Sequence, residues 1–386
     1  MLGVVAVYDY IMAGSGAAGL SLAYQLVQAG LGDRKILLLD REPKTDNDRT
    51  WCFWESGVGP FEELVFRSWD HLWFHGPQFS RRLEIAPYRY KMIRGGDFYR
   101  FLQDWVRQQP NLEVAYGEIT QLEDTPRGGV VHLGHTTHQA QYVFSSLYTP
   151  AAESRKYRSL LQHFKGWVVH TPQAVFDTGA ATFMDFRIQQ NNRVEFVYVL
   201  PFDSQTALVE YTLFSPSLLT QDEYDQGLRS YLREFLKLQD YTVSEEEFGI
   251  IPMTDAPMAA GSHHIVPIGT AGGRTKASTG YTFQRIQHHS RQIAAVLAQG
   301  GSPQQARPQS GRFDWYDSVL LEVLSQPSYP GHQVFCDLFS KNAAHQVLHF
   351  LEERTTFPQE VALMSSVNIP VFAAAMLRVL ARRLGR

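Results

Sequence analysis

The sequence predicts an α/β protein in which a Rossmann-type dinucleotide domain is interleaved with an antiparallel-sheet domain and followed by a helical C-terminal region. Three observations carry this expectation. A glycine-rich turn separates a short apolar strand from a helix near residue 14, alternating segments crowd residues 166–214, and a second glycine-rich turn at 269–280 leads into another helical pattern. At 386 residues, 44% hydrophobic and 19% charged, the chain has globular composition and room for two or three domains. The expected divisions are 1–165 with 248–311 for the discontinuous dinucleotide domain, 166–247 for the antiparallel sheet and 312–386 for the helical region.

Tyr8 to Ala13 reads as a strand, Gly14 to Gly19 as the turn, and Leu20 to Ala29 as a helix with Leu22, Leu26 and Ala29 on one face. Lys35 to Asp40 is a continuous apolar run, as strands covered on both faces are, so these pieces form one βαβ unit. A loop (Arg41 to Asn47) precedes the aromatic run Arg49-Thr50-Trp51-Cys52-Phe53-Trp54. Asp97 is expected to cap a helix reaching Gln108. Short strands follow from Leu112 to Leu147, broken at Pro126-Arg127-Gly128-Gly129. Four strands are expected at Trp167–Phe176, Ala181–Ile188, Arg193–Leu200 and Thr206–Phe214, then a helix at Gln221–Lys237 and strands at Phe248–Met253 and Ile265–Ile268. A helix after Gly280 runs to Ala298, and helices with loops follow Arg312.

The first glycine run fits a dinucleotide fingerprint in its context. Gly14 permits the tight turn, Gly16 lets a pyrophosphate approach the backbone, and Gly19 allows the helix to pack on the strand. The helix N-terminus beginning near Ala17 and Ala18 offers unpaired N–H groups to an anion. Asp40, 21 residues after Gly19, stands where an acidic side chain holds ribose hydroxyls. The far segment Ile268 to Thr282, with Gly269, Thr270, Gly272, Thr279 and Gly280, distinguishes FAD from NAD. A flavin needs backbone donors from a second helix N-terminus. Ser278 or Thr279 is the expected cap of that helix.

Alternation places Leu208, Glu210, Thr212 and Phe214 on one strand face and Val209, Tyr211 and Leu213 on the other. A carboxyl among apolar neighbours stays protonated, which makes Glu210 a candidate general acid. Asp185 alternates with Phe183 and Arg187 and is a secondary candidate. Arg49 either reaches a flavin or its phosphates, or stacks on Trp51 at the surface. His263-His264 and His288-His289 lack metal-ligand spacing, so no metal site is expected.

Asp48 to Trp54, Gln162 to Trp167, Phe183 to Arg187, Val209 to Thr212, Gly249 to Met253 and Ile268 to Arg285 together resemble the bacterial lycopene β-cyclases, within the flavoprotein group of geranylgeranyl reductases and aromatic hydroxylases. The resemblance spans about Tyr8 to Leu351. It departs at Ala277, where the family usually carries proline, and at Val143-Phe144-Ser145-Ser146, which lacks an aspartate. It implies acid–base cyclisation of the ψ-ends of lycopene, without net redox change, in a protein that needs reduced FAD, with NADPH a candidate external reductant. It also places the family's acid in the tract of Glu210. A flavin-dependent isoprenoid reductase or hydroxylase, and a non-catalytic carotenoid-binding flavoprotein, remain as other readings.

The 35 Lys+Arg against 39 Asp+Glu give a net charge of −4, so no basic footprint points to nucleic acid. Two cysteines, Cys52 and Cys336, make no disulfide framework and point to a reducing, cytoplasmic compartment. Met1 to Val7 lacks the basic region of a signal peptide. Val361 to Leu377 is too short and too interrupted for a membrane span. Pro370 to Arg386 sets Phe372, Met376, Val379 and Leu380 against Arg378, Arg382, Arg383 and Arg386, the pattern of an amphipathic helix for a membrane surface or for the protein's own body.

Overall fold

The computed structural model describes residues 6–150, 154–258, 260–306, 311–326 and 328–385. Arg386 and the first five residues of the Met1–Val7 segment lie outside them. Strand β1 (Ala6–Ala13) feeds helix α1 (Ala17–Leu26), which leaves through a widened turn at Val27–Leu31. Gly30 in that turn has φ 88°, so the regular helix ends before the expected Ala29. β2 (Ile36–Asp40) pairs parallel with β1. The aromatic run is itself a strand, β3 (Thr50–Glu55), followed by β4 (Arg67–Trp69), β5 (His71–Gly76), β6 (Phe79–Glu84) and β7 (Arg89–Arg94).

Helix α2 (Gly95–Arg107) starts two residues before Asp97, which pairs with Arg100 at 3.1 Å instead of capping. Its cap comes from a distant loop: Asn47 Oδ1 accepts the Gly96 N–H at 3.2 Å. Four strands follow, β8 (Leu112–Tyr116), β9 (Ile119–Thr125), β10 (Gly128–Leu133) and β11 (Thr136–Ser145). Gly128 and Gly129 belong to β10, where a Cβ at Gly128 would stand 2.2 Å from the Ala140 carbonyl oxygen.

The antiparallel segment runs through β12 (Ser159–His170), β13 (Ala181–Asp185), β14 (Val194–Pro201), β15 (Thr206–Ser215), α3 (Gln221–Glu234) and β16 (Thr242–Thr254). The expected divisions at 165/166 and 247/248 therefore fall inside β12 and β16. Thr220 and Glu223 form a reciprocal capping box at the start of α3. The helix ends before the expected Lys237 because that residue turns the chain at φ 58°. The remainder is β17 (Ile265–Pro267), α4 (Phe283–Ala298), α5 (Arg312–Leu324), α6 (His332–Lys341), α7 (Ala344–Leu351), α8 (Phe357–Met364) and α9 (Ile369–Arg383).

One sheet has the order β8-β2-β1-β11-β10-β9, with β17 also on β11; a second runs β16-β12-β15-β14-β13-β5-β6; a small third is β3-β7-β4. α1 packs on α4 through Leu22, Leu26, Ile286 and Ile293. The second sheet is covered on both faces. Toward α3 lie Val169, Val197, Val209 and Leu213, meeting Tyr224, Leu228, Tyr231 and Leu232 of the helix. Burying each of these large side chains contributes about 2 kcal/mol. The opposite face, with Phe183, Phe196, Leu208 and Phe214, meets Phe335 and Phe339 of α6 and Trp54 and Tyr90 of the small sheet.

Helix α9 turns its two sides contrary to a lipid-facing cationic helix. Arg382 is buried between Glu322, at 2.6 Å, and Asp255, at 3.2 Å. Arg378 also pairs with Glu322, and Arg383 lies over the Trp315 ring at 5.1 Å. Ala375 and Val379 face inward, while Ile369, Met376, Leu377, Leu380 and Leu384 are exposed.

Candidate active site

The first glycine turn is shaped by three different demands. Gly14 has φ 104°, and a Cβ there would sit 2.1 Å from Ser146 Oγ. A Cβ at Gly19 would sit 2.1 Å from the Gly14 carbonyl oxygen. Around Gly16 there is open space within 4 Å, on the side from which a ligand reaches the backbone. Gly16 occupies the cap of α1 without a side-chain bond, and no acidic residue stands in the first turn with Ala17 and Ala18. Asp40, at the end of β2, accepts hydrogen bonds from Ser15 N and Oγ at 3.0 and 3.1 Å. The acidic group is therefore at the rim of the turn, as its spacing predicts.

The second glycine segment meets the first. Gly269 has φ 59°, and a Cβ there would stand 2.9 Å from Ala18 Cβ. Gly272 is a packing glycine, since its Cβ would stand 2.5 Å from the Pro267 carbonyl oxygen. Thr270 Oγ1 pairs with Thr275 Oγ1 at 2.9 Å. Gly280, at φ 73°, closes against Gln162 Oε1.

The cap of α4 is Thr282 and neither Ser278 nor Thr279. Ser278 instead donates to Asp317 at 2.7 Å. Thr282 bonds the Gly280 carbonyl, leaving the helix N–H groups without a side-chain acceptor. Close by, Thr279 Oγ1 and Gln162 Oε1 are buried without partners. Two bare helix N-termini and these orphaned groups fit a phosphate-linked, hydrogen-bonding cofactor.

Arg49 pairs with Asp48 at 2.8 Å and does not stack on Trp51. Trp51 lies instead on Phe283, 5.4 Å between centroids, with Phe98 and Tyr99 at its edges. A cleft of about 680 Å³ opens beside Trp54, Tyr281 and Phe283, with Arg274 and Glu353 at its polar side.

Glu210 lies on β15 facing away from α3, as alternation predicts. It is 9% exposed and accepts a hydrogen bond from Thr212 Oγ1 at 2.8 Å. Cys52 of β3, Tyr90 of β7, Tyr198 of β14 and Tyr281 ahead of α4 share its buried surroundings. Burial, then the charge of Glu247 on β16, pushes the Glu210 carboxyl well above the usual carboxylate range. Burial likewise raises Cys52, Tyr90, Tyr198 and Tyr281, which stay neutral. Among the described residues Glu210 has no ion-pair partner.

Asp185 is elsewhere. One extra residue bulges β13 between Thr182 and Asp185, so Asp185 and Phe183 do not share a face. Asp185 points to α3, where Arg187 Nε and Nη2 donate at 2.9 and 2.5 Å and Tyr231 OH at 2.7 Å.

Sequence reasoning missed Glu247 and the tyrosine wall. Glu247 sits in the run Glu245-Glu246-Glu247, which reads as solvated; only its alternation with Gly249 and Met253 signals an inward position. The tyrosines come from strands far apart in the chain.

The glycine crevice, the antiparallel sheet and the helices packed on them define a class, proteins of the flavoprotein fold. The sequence pattern described as "Lycopene cyclase protein" matches residues 9–381. The chain belongs to the lycopene cyclase family. A lycopene β-cyclase from a Paracoccus species is 26% identical over 303 residues, 75% of this chain and 73% of that protein. Among solved structures, a geranylgeranyl bacteriochlorophyll reductase-like protein from Thermoplasma acidophilum superposes with a TM-score of 0.72 at 11% identity, covering 97% of this chain and all of that one. HpxO from Klebsiella pneumoniae, a complex with FAD, superposes with a TM-score of 0.63 at 12% identity over 90% of this chain and 98% of its own. The fold is that of the Rossmann-type FAD-binding flavoproteins.

Proposed function

We propose that this protein is an FAD-dependent lycopene β-cyclase that closes the ψ-ends of lycopene into β-ionone rings by acid–base chemistry, yielding γ- and β-carotene. The observation that carries the reading is the Glu210 carboxyl, buried without a cation on the aromatic face beside the second glycine segment. Family membership supports it.

Protonating an unactivated alkene needs an acid that still holds its proton at neutral pH, and burial gives Glu210 that property. The proton moves from Glu210 to the terminal double bond, the next double bond attacks the tertiary cation, and a base takes up a ring proton, which restores neutrality. Trp54, Tyr90, Tyr198 and Tyr281 present aromatic surface to the cation, each suitably placed face adding about 1–2 kcal/mol. Their packing excludes the water that would quench it as an alcohol.

The first helix N-terminus, Gly14, Gly16 and Asp40 are proposed to hold the adenosine diphosphate part of FAD. Gly269, Thr270, Thr279, Gly280 and the start of α4 are proposed to hold its ring end, with Arg49 on the intervening wall. Held there in reduced, anionic form, FAD would supply a negative charge to steady the cation, a unit charge pair ~4 Å apart being worth about 4 kcal/mol at an effective dielectric of ~20. NADPH is the proposed source of the reducing electrons. Asp185 serves the sheet through Arg187 and Tyr231.

Lycopene dissolves in bilayers, so the reading includes a cytoplasmic protein docked on a membrane surface. The exposed ridge of α8 and α9, with Phe357, Val361, Ile369, Leu377 and Leu384, is the proposed contact. No single described helix is long and apolar enough to cross a membrane.

The test is anaerobic incubation with lycopene in liposomes and chemically reduced FAD, followed by chromatography and mass spectrometry. The expected pigments are cyclised and unchanged in mass. A gain of hydrogen identifies a reductase and a gain of oxygen a hydroxylase; unaltered lycopene leaves a binding protein.

A further inference from the structure

Glu210 is met by a second buried carboxyl, and a glycine makes the meeting possible. β12 runs between β15 and β16, and its Gly166 is in register with Glu210 on one side and Glu247 on the other. Adjacent strands lie about 4.8 Å apart, so residues flanking a middle strand are separated by roughly 10 Å of backbone. Their side chains join only by leaning over that strand. Glu247 does so: a Cβ at Gly166 would stand 3.0 Å from Glu247 Cγ and 2.9 Å from Leu208 Cδ1. The two carboxyls come within hydrogen-bonding reach of each other.

The donor count then requires a proton between them. Glu210 Oε1 is taken by Thr212, and Glu247 Oε2 by Thr50 Oγ1 at 2.8 Å. Glu247 Oε1 is buried with no donor. Two ionised carboxylates are acceptors only, so one must be protonated for the contact to bond.

Resting on the cyclase reading, we propose that Glu247 and Glu210 share a single proton across Gly166, with Glu247 as the positioning residue that keeps it on the catalytic acid. The groups facing the pair are Cys52 and Thr50 from β3, Tyr90 from β7, Tyr198 from β14, Thr212 beside Glu210 and Tyr281 ahead of α4. Asp48, Arg49 and Glu245 act on the Glu247 side. Thr50 bonds the ionised form of Glu247, so the negative charge rests there and the proton on Glu210. Burial raises both carboxyls, and Glu210, with neighbouring Glu247 adding repulsion, rises further.

Glu247→Gln keeps the shape, removes the negative neighbour and offers Glu210 a donor. Both changes favour the ionised acid. The expected result is a shift of the alkaline limb of kcat toward lower pH by about one unit, hence about a tenfold loss of turnover on that limb, with KM for lycopene unchanged. Thr50→Val has the opposite sign, because an unsupported Glu247 anion makes the pair hold its proton more tightly and moves the limb to higher pH. Infrared difference spectroscopy reads the shared proton without turnover. A protonated-carboxyl band at neutral pH is expected in the wild type, lost in Glu210→Gln and titrating at lower pH in Glu247→Gln.

If Glu247→Gln does not fold, Thr50→Val and the wild-type band still decide. Limbs that superimpose on wild type in both variants, or a wild type without the band, overturn the shared proton. Failure of lycopene to cyclise while the band behaves as described would remove the cyclase reading and leave the pair standing.

Discussion

The two faces of the second sheet handle buried carboxyls in opposite ways. Toward α3, Asp185 and Glu195 are fully buried, and each has an arginine and a tyrosine hydroxyl: Arg187 with Tyr231, and Arg193 with Tyr211. On the other face Glu210 and Glu247 are buried with threonine hydroxyls and each other. A cation lets a carboxyl stay charged out of water; without one the proton is retained. Within one sheet the first arrangement ties elements together, and the second is the one proposed to store an acid.

Breaking the acid side has the largest expected effect. Glu210→Gln is expected to lower cyclisation by roughly 10²–10⁴-fold, the usual worth of a general acid, while FAD content and the urea midpoint stay near wild type. Unimpaired turnover in the pigment assay removes Glu210 from the mechanism. Breaking the ion-paired side should trade activity for stability. Arg187→Met strands Asp185 and is expected to cost about 3 kcal/mol in urea unfolding, and Asp185→Asn less, with turnover of the folded fraction within about twofold. A large turnover loss in a stable Asp185→Asn protein would return that residue to the chemistry.

Gly166→Ala tests the bridge between the carboxyls. The added methyl meets Leu208 and Glu247 at 2.9 and 3.0 Å, and is expected to cost about 1–3 kcal/mol and to lower turnover several-fold. At the proposed membrane contact, Leu377→Glu with Leu384→Glu is expected to weaken liposome flotation at least about tenfold, since each leucine carries about 1.5–3 kcal/mol of burial. A separate test, at acid pH, concerns buried bases. Burial holds His163 down at about 4 and His289 at about 3, against 6.5 in an open chain. Below pH 6.5 the unfolded chain binds protons that the folded one refuses, so stability falls as pH drops from about 6.5 toward 4 and on toward 3. Urea midpoints measured across that range should decline, and replacing either histidine should flatten the decline.

What the sequence made legible follows from the range of the interactions. The βαβ unit and the alternation around Glu210 rest on residues a few positions apart, and the structure has both, with α1 ending at Leu26 short of the expected Ala29. The cap of α2 is not the expected one, because Asn47 supplies it from 48 residues before Gly95. Asp185 was misplaced because one bulged residue inverts the face of everything beyond it. Glu247 was hidden since its inward position depends on a glycine in another strand. On α9 the expected apolar side is divided, Val379 and Phe372 packing inward and Met376 and Leu380 exposed, because Glu322 and Asp255, invisible to a helical wheel, draw Arg382 inward.

That division bears on the proposed membrane contact. Arg378, Arg382 and Arg383 lean toward Glu322 and Asp255, while Ile369, Met376, Leu377, Leu380 and Leu384 form an exposed apolar crest. Adhesion through this proposed contact would draw chiefly on acyl-chain packing, with headgroup sign and ionic strength in a secondary part.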